Sequence, residues 1–476
     1  MPDCELRQRD AIFGTLLQEQ DREDHALQQH TEKSLPKSLS LGSKSTASSD
    51  DRGQTSFPPE VQLLDEALKN TKWLHLVHED ENIHPEGLSL DELRKSLPAH
   101  VFKKDLYRSL RWLVFDLTIV FVALAGLKTL YRNEIPILDP AHVLASYAYG
   151  RAELEWSTSW ALYLLVTTAR LSAYVLLSGL GGFFMWSNFV VGHDCGHGSF
   201  SENRQLNFLF GNLTHGAILV PFQSWARSHR LHHMYHNHIE KDYSFPWSHD
   251  PQFDNQHVEF LAKYPAVPAA LYPIFGYAFY LLWPQQYGGV DGSHFFPKVF
   301  DGCRLWETVD KEELAKCWIS VGVVACYLTF YLGWFFASPA EFAALYLPCW
   351  FFFCFNLYTV TFLQHHSPET RIYDDTTWKY ATAAFETVDR SYGKYWDLFH
   401  HHISDCHVIH HIFFTRIPHY NLEAATEGLK RYLEKKDLGH LYAFEDTPDF
   451  FVKVFQYMYS YSTRAKLVTK ETKYFQ

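Results

Sequence analysis

Long apolar stretches dominate the middle of the chain, and four of them are long enough to cross a lipid bilayer. They cover residues 112–130, 171–192, 316–337 and 340–362. A spanning helix needs about 20 mostly apolar residues. Only Ser338 and Pro339 separate the last two stretches, which predicts a helical hairpin. The pattern predicts an all-α integral membrane protein with four transmembrane helices.

Two further apolar stretches are shorter or interrupted. Residues 206–222 contain His215, and residues 262–284 contain Pro265, Pro268, Pro273 and Pro284. Proline removes a backbone donor, so four prolines make a regular spanning helix unfavourable. We expect both stretches to form interfacial segments.

The ends of the chain are polar. Residues 1–58 are rich in Gln, Ser, Lys, Asp and Glu, which is typical of a disordered tail. They lack a basic-then-apolar pattern, so we expect no cleavable signal peptide. The predicted organisation continues with a cytosolic segment at 59–111, a four-span domain with a cytosolic cap at 112–435, and a cytosolic tail at 436–476.

Charge predicts the orientation in the membrane. The net charge is −12, yet six basic residues precede the first apolar stretch: Arg94, Lys95, Lys103, Lys104, Arg108 and Arg111. The positive-inside rule then places the amino terminus in the cytosol, and four spans return the carboxyl terminus to the same side. The eight cysteines show no paired spacing, which argues against a secreted disulfide framework.

Three histidine clusters carry the candidate chemistry. They are His193 and His197; His229, His232 and His233; and His407, His410 and His411. Residues three and four apart share one face of a helix, and imidazole binds zinc, copper, iron and nickel. Eight such ligands are too many for one tetrahedral ion. The spacing therefore predicts two metal ions and does not identify the metal.

The four-span topology places all three clusters on the cytosolic side. The second span ends at Gly192, just before the first cluster, and no further crossing separates the second cluster from it. A fifth span at 262–284 would put the third cluster across the membrane. His365 follows the fourth span, and we expect it to be a ninth ligand. We also expect four residues beside the clusters to support the ligands: Asp194, Asp242, Asp405 and His401.

These motifs resemble the membrane-bound fatty acid desaturases, over roughly residues 85–435. The segment from Gly192 to Ser201 is similar to the first histidine box of the methyl-end enzymes, which act as oleate Δ12 or omega-3 desaturases. Thr387–Gly393, Ile417–Tyr420 and Glu423–Thr426 are similar to other segments of that group. The intact His407 differs from front-end desaturases, which usually carry Gln there.

The resemblance implies a di-iron centre held by the eight box histidines and His365. It further implies O₂ as co-substrate, electrons from NADH through cytochrome b5 and its reductase, and an acyl substrate carried on phospholipid or coenzyme A. The location that it implies is the endoplasmic reticulum membrane, and no nucleic-acid partner is expected.

Several functions stay open at this point. Asp194, the residues from His232 to Asp242, and Val408-Ile409 are more similar to omega-3 than to Δ12 enzymes, so we predict the linoleate to α-linolenate reaction. Oleate Δ12 desaturation, or a hydroxylase, epoxygenase or acetylenase on the same scaffold, is the alternative. A zinc-dependent membrane hydrolase or a metal transporter is the alternative of another class.

Overall fold

The structure is a computed structural model that describes most of the chain from residue 82 to residue 471. The described residues are 82–149, 156–238, 241–242, 263–282, 285–286, 289–290, 292–300, 303–306, 308–367, 370–373 and 376–471. The predicted disordered tail at 1–58 lies outside them.

Helices make up most of the described chain. They are α1 (Leu90–Ser96), α2 (Leu106–Tyr131), α3 (Pro140–Ala148), α4 (Trp156–His197), α5 (Arg204–Ala217), α6 (Phe222–Tyr235), α7 (Ala266–Leu282), α8 (Lys311–Phe330), α9 (Pro339–His365), α10 (Tyr380–Ala384), α11 (Lys394–Phe399), α12 (His407–Phe413), α13 (Leu422–Lys435) and α14 (Phe450–Glu471). The strands pair as β1 (Gln285–Gln286) antiparallel to β2 (Gly289–Val290), and β3 (Val388–Ser391) parallel to β4 (Ala443–Asp446).

Within the part of the chain that the structure describes, four helices are long and apolar enough to cross a membrane, which confirms the four-span prediction. They are α2, α4, α9, and α8 with its π-helical continuation to Phe335. Helix α4 has 42 residues, and a rise of 1.5 Å per residue makes it about 63 Å long. That is about twice the hydrocarbon thickness. The helix therefore continues beyond its apolar part and carries the first histidine cluster on its last turns.

Local sequence fixes where the spanning helices begin. The Asp105 carboxylate accepts from the backbone N–H groups of Tyr107 and Arg108 at the start of α2. Asp310 does the same for Glu313 at the start of α8. Ser338 caps α9, and the following Pro339 takes the first helical position, where its missing N–H costs nothing. The start of α9, and with it the turn between α8 and α9, is therefore determined by the local Ser338-Pro339 sequence.

Helix α7 fits the expectation that residues 262–284 form no regular spanning helix, although the prolines there permit a continuous helix of 17 residues. Pro265 precedes the helix and Pro268 lies in its first turn. These are positions where a missing N–H breaks no intrahelical bond. Only Pro273 is interior. The helix is shorter than the four candidate spans.

Helix α4 is the centre of the packing and contacts both α2 and α9. At Gly182 the two backbones come so close that a Cβ would lie 2.3 Å from the carbonyl oxygen of Cys349 on α9. A small residue here lets the helices approach closely, as is common between membrane helices. Close packing of α4 on α9 brings the ends of both helices, and hence His193, His197 and His365, into one region.

Candidate metal centre

The nine histidines predicted as ligands divide into two groups. In the first group, nitrogen atoms of His193, His197, His229, His233 and His410 all lie within 4.8 Å of one another. The Nε2–Nε2 distances are 3.1 Å between His193 and His197, 3.1 Å between His229 and His233, and 3.2 Å between His233 and His410. Three separate helices, α4, α6 and α12, therefore direct imidazoles to one point.

The second group contains the remaining four histidines. Nitrogens of His232, His365 and His411 lie within 4.8 Å of one another. Nε2 of His365 is 3.3 Å from Nε2 of His232 and 3.1 Å from Nε2 of His407, which is itself 3.2 Å from Nε2 of His411. His365 therefore brings the end of the fourth span, α9, next to the ligands on α6 and α12.

Helical geometry explains why each HxxHH cluster serves both groups. Residues four apart, such as His229 and His233, lie on one face. Adjacent residues, such as His232 and His233, are separated by about 100° around a helix of 3.6 residues per turn. Helix α6 thus gives two nitrogens to the first group and one to the second, and α12 does the reverse. The pairs four apart therefore share a group, whereas residues three apart, such as His229 and His232, belong to different groups.

The hydrogen-bonding pattern of the second group fits a bound cation. Nδ1 of His232 lies 2.8 Å from the Asp242 carboxylate, and Nδ1 of His407 lies 2.8 Å from the Ile403 carbonyl oxygen. Both partners only accept, so each Nδ1 carries the proton and each Nε2 presents a lone pair. Both lone pairs face Nε2 of His365, which has one proton at most. Ligands about 2.1 Å from a shared ion at angles of 90–110° are about 3.0–3.4 Å apart, which matches the spacing.

Burial keeps the clustered imidazoles neutral, as metal ligation requires. Burial, with a smaller contribution from the neighbouring imidazoles, holds the pKa of His229, His233, His410 and His411 well below the ordinary value of 6.5. The same burial lowers the pKa of His407 to about 3. Aromatic rings close the first group off from one side: Phe414 stacks on His233, and Trp225 stacks on His229.

Asp242 and Asp194 contact the histidines in different ways. The Asp242 carboxylate accepts from His232 and, through its other oxygen, from the backbone N–H of Asn237 at 2.9 Å. The Asp194 Oδ1 is 3.8 Å from Nδ1 of His193, which is too long for a hydrogen bond. Its Oδ2 accepts from both the backbone N–H and the ring Nδ1 of His419, at 2.9 and 2.8 Å.

Asp405 and His401 lie beside the third cluster with partners of their own. The Asp405 carboxylate pairs with His402 at 3.1 Å. Nε2 of His401 is 2.8 Å from the Asp116 carboxylate, and both side chains are buried. The His401 ring lies 4.5 Å from the His419 ring, centroid to centroid. His401 thus belongs to a buried polar chain that continues through His419 to Asp194.

Sequence reasoning missed two members of that chain. Asp116 lies inside the first apolar stretch, and an acidic residue in a spanning helix is itself a sign of a buried partner or function. His419 stood out only as part of a family-like segment. A buried carboxylate needs donors, but sequence spacing does not show that they come from residues more than 200 positions away.

A buried ion network attaches helix α6, which carries the second cluster, to the start of the third span. The Arg227 guanidinium is fully buried and donates to Glu313 at 2.5 Å, to the Leu305 carbonyl at 2.7 Å and to Thr308 at 2.8 Å. Arg230 donates to the other oxygen of Glu313 at 2.6 Å. Because the carboxylate has two cationic partners, it fixes α6 against α8.

Comparison with known proteins identifies the scaffold. Residues 169–444 match the family model of fatty acid desaturases. The chain is 35% identical over 380 residues to the Delta(12) fatty acid desaturase fat-2 of Caenorhabditis elegans, an alignment that covers 78% of this chain and 87% of that protein. It is 32% identical to the omega-3 fatty acid desaturase fat-1 of the same organism, covering 78% and 80%. A chloroplastic sn-2 acyl-lipid omega-3 desaturase of Arabidopsis thaliana, described as temperature-sensitive, is 33% identical, covering 74% and 69%.

Proposed function

Because the chain belongs to the fatty acid desaturase family, we propose that it inserts a cis double bond toward the methyl end of an already unsaturated acyl chain. The protein is a membrane-bound oxidoreductase. Of the two methyl-end positions, we propose the omega-3 position, because Asp194, the residues from His232 to Asp242, and Val408-Ile409 are more similar to omega-3 enzymes. The 35% identity to a Delta(12) desaturase supports Δ12 as the second candidate.

One observation carries the proposal. Nine imidazoles from four helices converge in two groups, and the fixed tautomers of His232 and His407 direct bare nitrogens to the centre of the second group. We propose that the first group holds one iron and the second group the other. Iron bound there supplies the oxidising power that removes two hydrogens from adjacent methylenes, at the expense of O₂, two electrons and two protons.

The residues of the chain supply position and protection. Their role is to hold each nitrogen at a fixed distance, because misplacement of a few tenths of an ångström is costly for catalysis. The rings of Phe414 and Trp225, which pack on the outer faces of His233 and His229, exclude water from the first group. Burial of the histidines keeps them unprotonated and available as ligands.

The electron donor and the location also belong to this proposal. The chain contains no flavin or dinucleotide fingerprint, so the electrons come from a partner. We propose cytochrome b5 with its NADH-dependent reductase, acting at the endoplasmic reticulum membrane with both chain termini in the cytosol. Reconstitution with purified cytochrome b5 and ferredoxin in parallel tests the donor: activity with ferredoxin alone contradicts it.

Expression in a host that lacks polyunsaturated fatty acids tests the regiochemistry. Linoleate and oleate are supplied in separate cultures, and double-bond positions are read in the extracted lipids. We expect α-linolenate from linoleate and no product from oleate. Linoleate formed from oleate assigns the chain to the Δ12 group, and a hydroxylated or acetylenic product assigns it to the related oxidases.

Metal analysis separates the proposal from a zinc-dependent hydrolase or a transporter. We expect two iron ions per purified chain and a strict need for O₂ and reductant. Stoichiometric zinc, or activity without reductant, rejects the desaturase chemistry.

A further inference from the structure

The segment Thr387–Gly393 stood out in the sequence, yet it contributes no ligand. Its residues Val388–Ser391 form strand β3, which pairs in parallel with β4. Thr387, Asp389 and Arg390 are fully buried. Two adjacent buried ionisable residues require partners nearby, because an unpaired buried charge is costly. Those partners identify what the segment does.

Asp389 holds the amino end of the third-box helix. Its Oδ1 accepts the backbone N–H of Val408, the second residue of α12, at 2.7 Å. The residue that precedes α12, Cys406, makes no side-chain cap hydrogen bond. The first N–H groups of a helix have no intrahelical acceptor, so Asp389 supplies one from another part of the chain. Its Oδ2 accepts from the Tyr442 hydroxyl at 2.5 Å, which fixes the carboxylate.

Arg390 holds the carboxyl end of the helix that carries His365. Its Nε donates to the Leu363 carbonyl oxygen at 2.9 Å, in the last turn of α9. The last carbonyls of a helix likewise have no intrahelical donor, and a cation is favourable there. The guanidinium also forms an ion pair with Glu445 on β4. Adjacent residues of one strand thus satisfy opposite ends of two ligand helices.

A third contact joins the two helices through one carbonyl group. The Ser404 carbonyl oxygen accepts from the backbone N–H of Arg390 at 2.8 Å and from the Gln364 side chain at 3.1 Å. Ser404 lies three residues before His407, and Gln364 directly precedes His365. The Nε2 atoms of His365 and His407, both in the second group, lie 3.1 Å apart. Arg390 therefore contacts the backbone close to both histidines: at Leu363, near His365, and at Ser404, near His407.

We propose that Thr387–Gly393 is a brace that holds the histidines of the second group in position. Asp389 and Arg390 are the positioning residues, and they act on His365, His407 and His411. The brace makes none of these contacts with α4 or α6, which supply four of the five nitrogens of the first group. This inference rests on the proposed two-metal ligation, and it assigns to the brace a larger effect on the second metal, because α12 carries two second-group histidines and only one histidine, His410, of the first group.

Metal binding to the full-length, metal-free protein tests the brace. The purified chain is titrated with Co²⁺ alone, and bound metal is followed by visible absorption and elemental analysis. Wild type should bind two equivalents; failure of wild type to do so rejects the proposed function and not the brace. In Asp389→Ala, we expect the binding of one equivalent to weaken about ten-fold or more, as when a supporting partner of a ligand is removed, and the binding of the other to weaken much less.

Matched variants make the outcome specific. Asp389→Asn keeps an acceptor for the Val408 N–H and should stay within about three-fold of wild type. Asp446→Asn, an exposed position on β4, should match wild type. In a His411→Ala background, which already lacks a second-group ligand, Asp389→Ala should add little further loss. In a His197→Ala background, it should clearly weaken the binding of the remaining equivalent.

Two results overturn the brace. One is an Asp389→Ala protein that binds both equivalents with wild-type affinity; the other is one that loses both equally. If Asp389→Ala does not fold, Tyr442→Phe decides, because it removes only the hydroxyl that fixes the carboxylate. A few-fold weakening of one equivalent supports the brace, and unchanged binding of both rejects it.

Discussion

The first nitrogen group takes four of its five histidines from two pairs four residues apart, on α4 and α6. The second group has one such pair, on α12, and two single histidines from α6 and α9. The groups also differ in how their rings are held. In the second group, a carboxylate and a backbone carbonyl fix the tautomers of His232 and His407. In the first group, Nδ1 of His193 and of His233 has no hydrogen-bond partner among the described residues, which in the second group is true of Nδ1 of His411.

The two groups therefore differ in how their ligands are placed: mainly by pairs on one helix in the first group, and by separate segments in the second. A pair four apart is preorganised by its own helix, so the first group needs little support beyond the packing of helices. Ligands from distant segments have no such internal constraint, and each must be placed by surrounding contacts. We therefore expect the second group to respond more strongly to changes in the residues around it than the first.

Removing a ligand should produce the largest effect. His410→Ala takes one nitrogen from the first group, and His411→Ala takes one from the second. We expect each to abolish desaturation, by about 100-fold or more, because the chemistry uses both irons, while each variant loses the metal of its own group. Lipid analysis and iron content of membrane-inserted protein measure this. Retained activity in His410→Ala contradicts the ligand assignment of the third box.

Breaking the Arg227–Glu313–Arg230 network should affect both groups, because α6 supplies nitrogens to both. Glu313→Leu leaves two cations without their carboxylate, and removing one partner of a buried pair costs about 3–5 kcal/mol. Thermal unfolding of the metal-free protein measures the loss. Glu312→Gln, which breaks only the exposed pair with Lys316, is the control and should not change stability measurably. A selective loss of one metal in Glu313→Leu would show that the network supports one group only.

Asp242→Ala should act on the second group alone. It removes the acceptor that holds the proton on Nδ1 of His232. The proton can then move to Nε2, and that tautomer has no lone pair on Nε2 for a metal. We expect about 10–100-fold weaker binding of one metal equivalent. Asp242→Asn keeps an acceptor oxygen and should recover most of the affinity. Equal weakening of both equivalents would argue against the division into two groups.

His419→Leu should weaken metal binding by the first group about ten-fold or less, which is a smaller effect than that of Asp242→Ala on the second group. It removes the ring donor to Asp194, whose carboxylate is 3.8 Å from His193 and not hydrogen-bonded to it. The backbone N–H of His419 still donates to the same oxygen. His419→Asn retains a side-chain donor and is the matched control. An effect as large as that of Asp242→Ala would contradict the contrast between the groups.

The His402–Asp405 pair should produce the smallest effect. Burial alone lowers the pKa of His402, but the Asp405 carboxylate, together with the smaller contributions of Glu423 and Asp397, outweighs burial and raises the pKa above 6.5. The pair therefore stabilises the fold fully below the unfolded pKa, and this contribution disappears as pH rises through the folded pKa. Asp405→Asn should remove this pH dependence, at a cost of about 1 kcal/mol or less. Thermal unfolding near pH 6 and pH 8 compares the two proteins; an unchanged pH profile in the variant contradicts the assignment.

Much of the architecture could be predicted because it depends on local pattern. The four spans, the hairpin at Ser338 and the spacing of the histidine pairs all follow from residues close together in sequence. The sequence predicts that helix α7 does not span the membrane, and the helix is shorter than the four candidate spans; its continuity is not predicted, because it depends on where the prolines lie in the helix.

The sequence by itself determined the membrane class, the chemistry of the ligands and the desaturase resemblance, because hydropathy and helical period act over a few turns. Tertiary structure alone decided which imidazole joins which group, that Asp116 pairs with His401, and that Asp389 and Arg390 hold two ligand helices. The physical reason is that these contacts join residues that are far apart in the chain, and their partners are chosen by the packing of helices rather than by spacing.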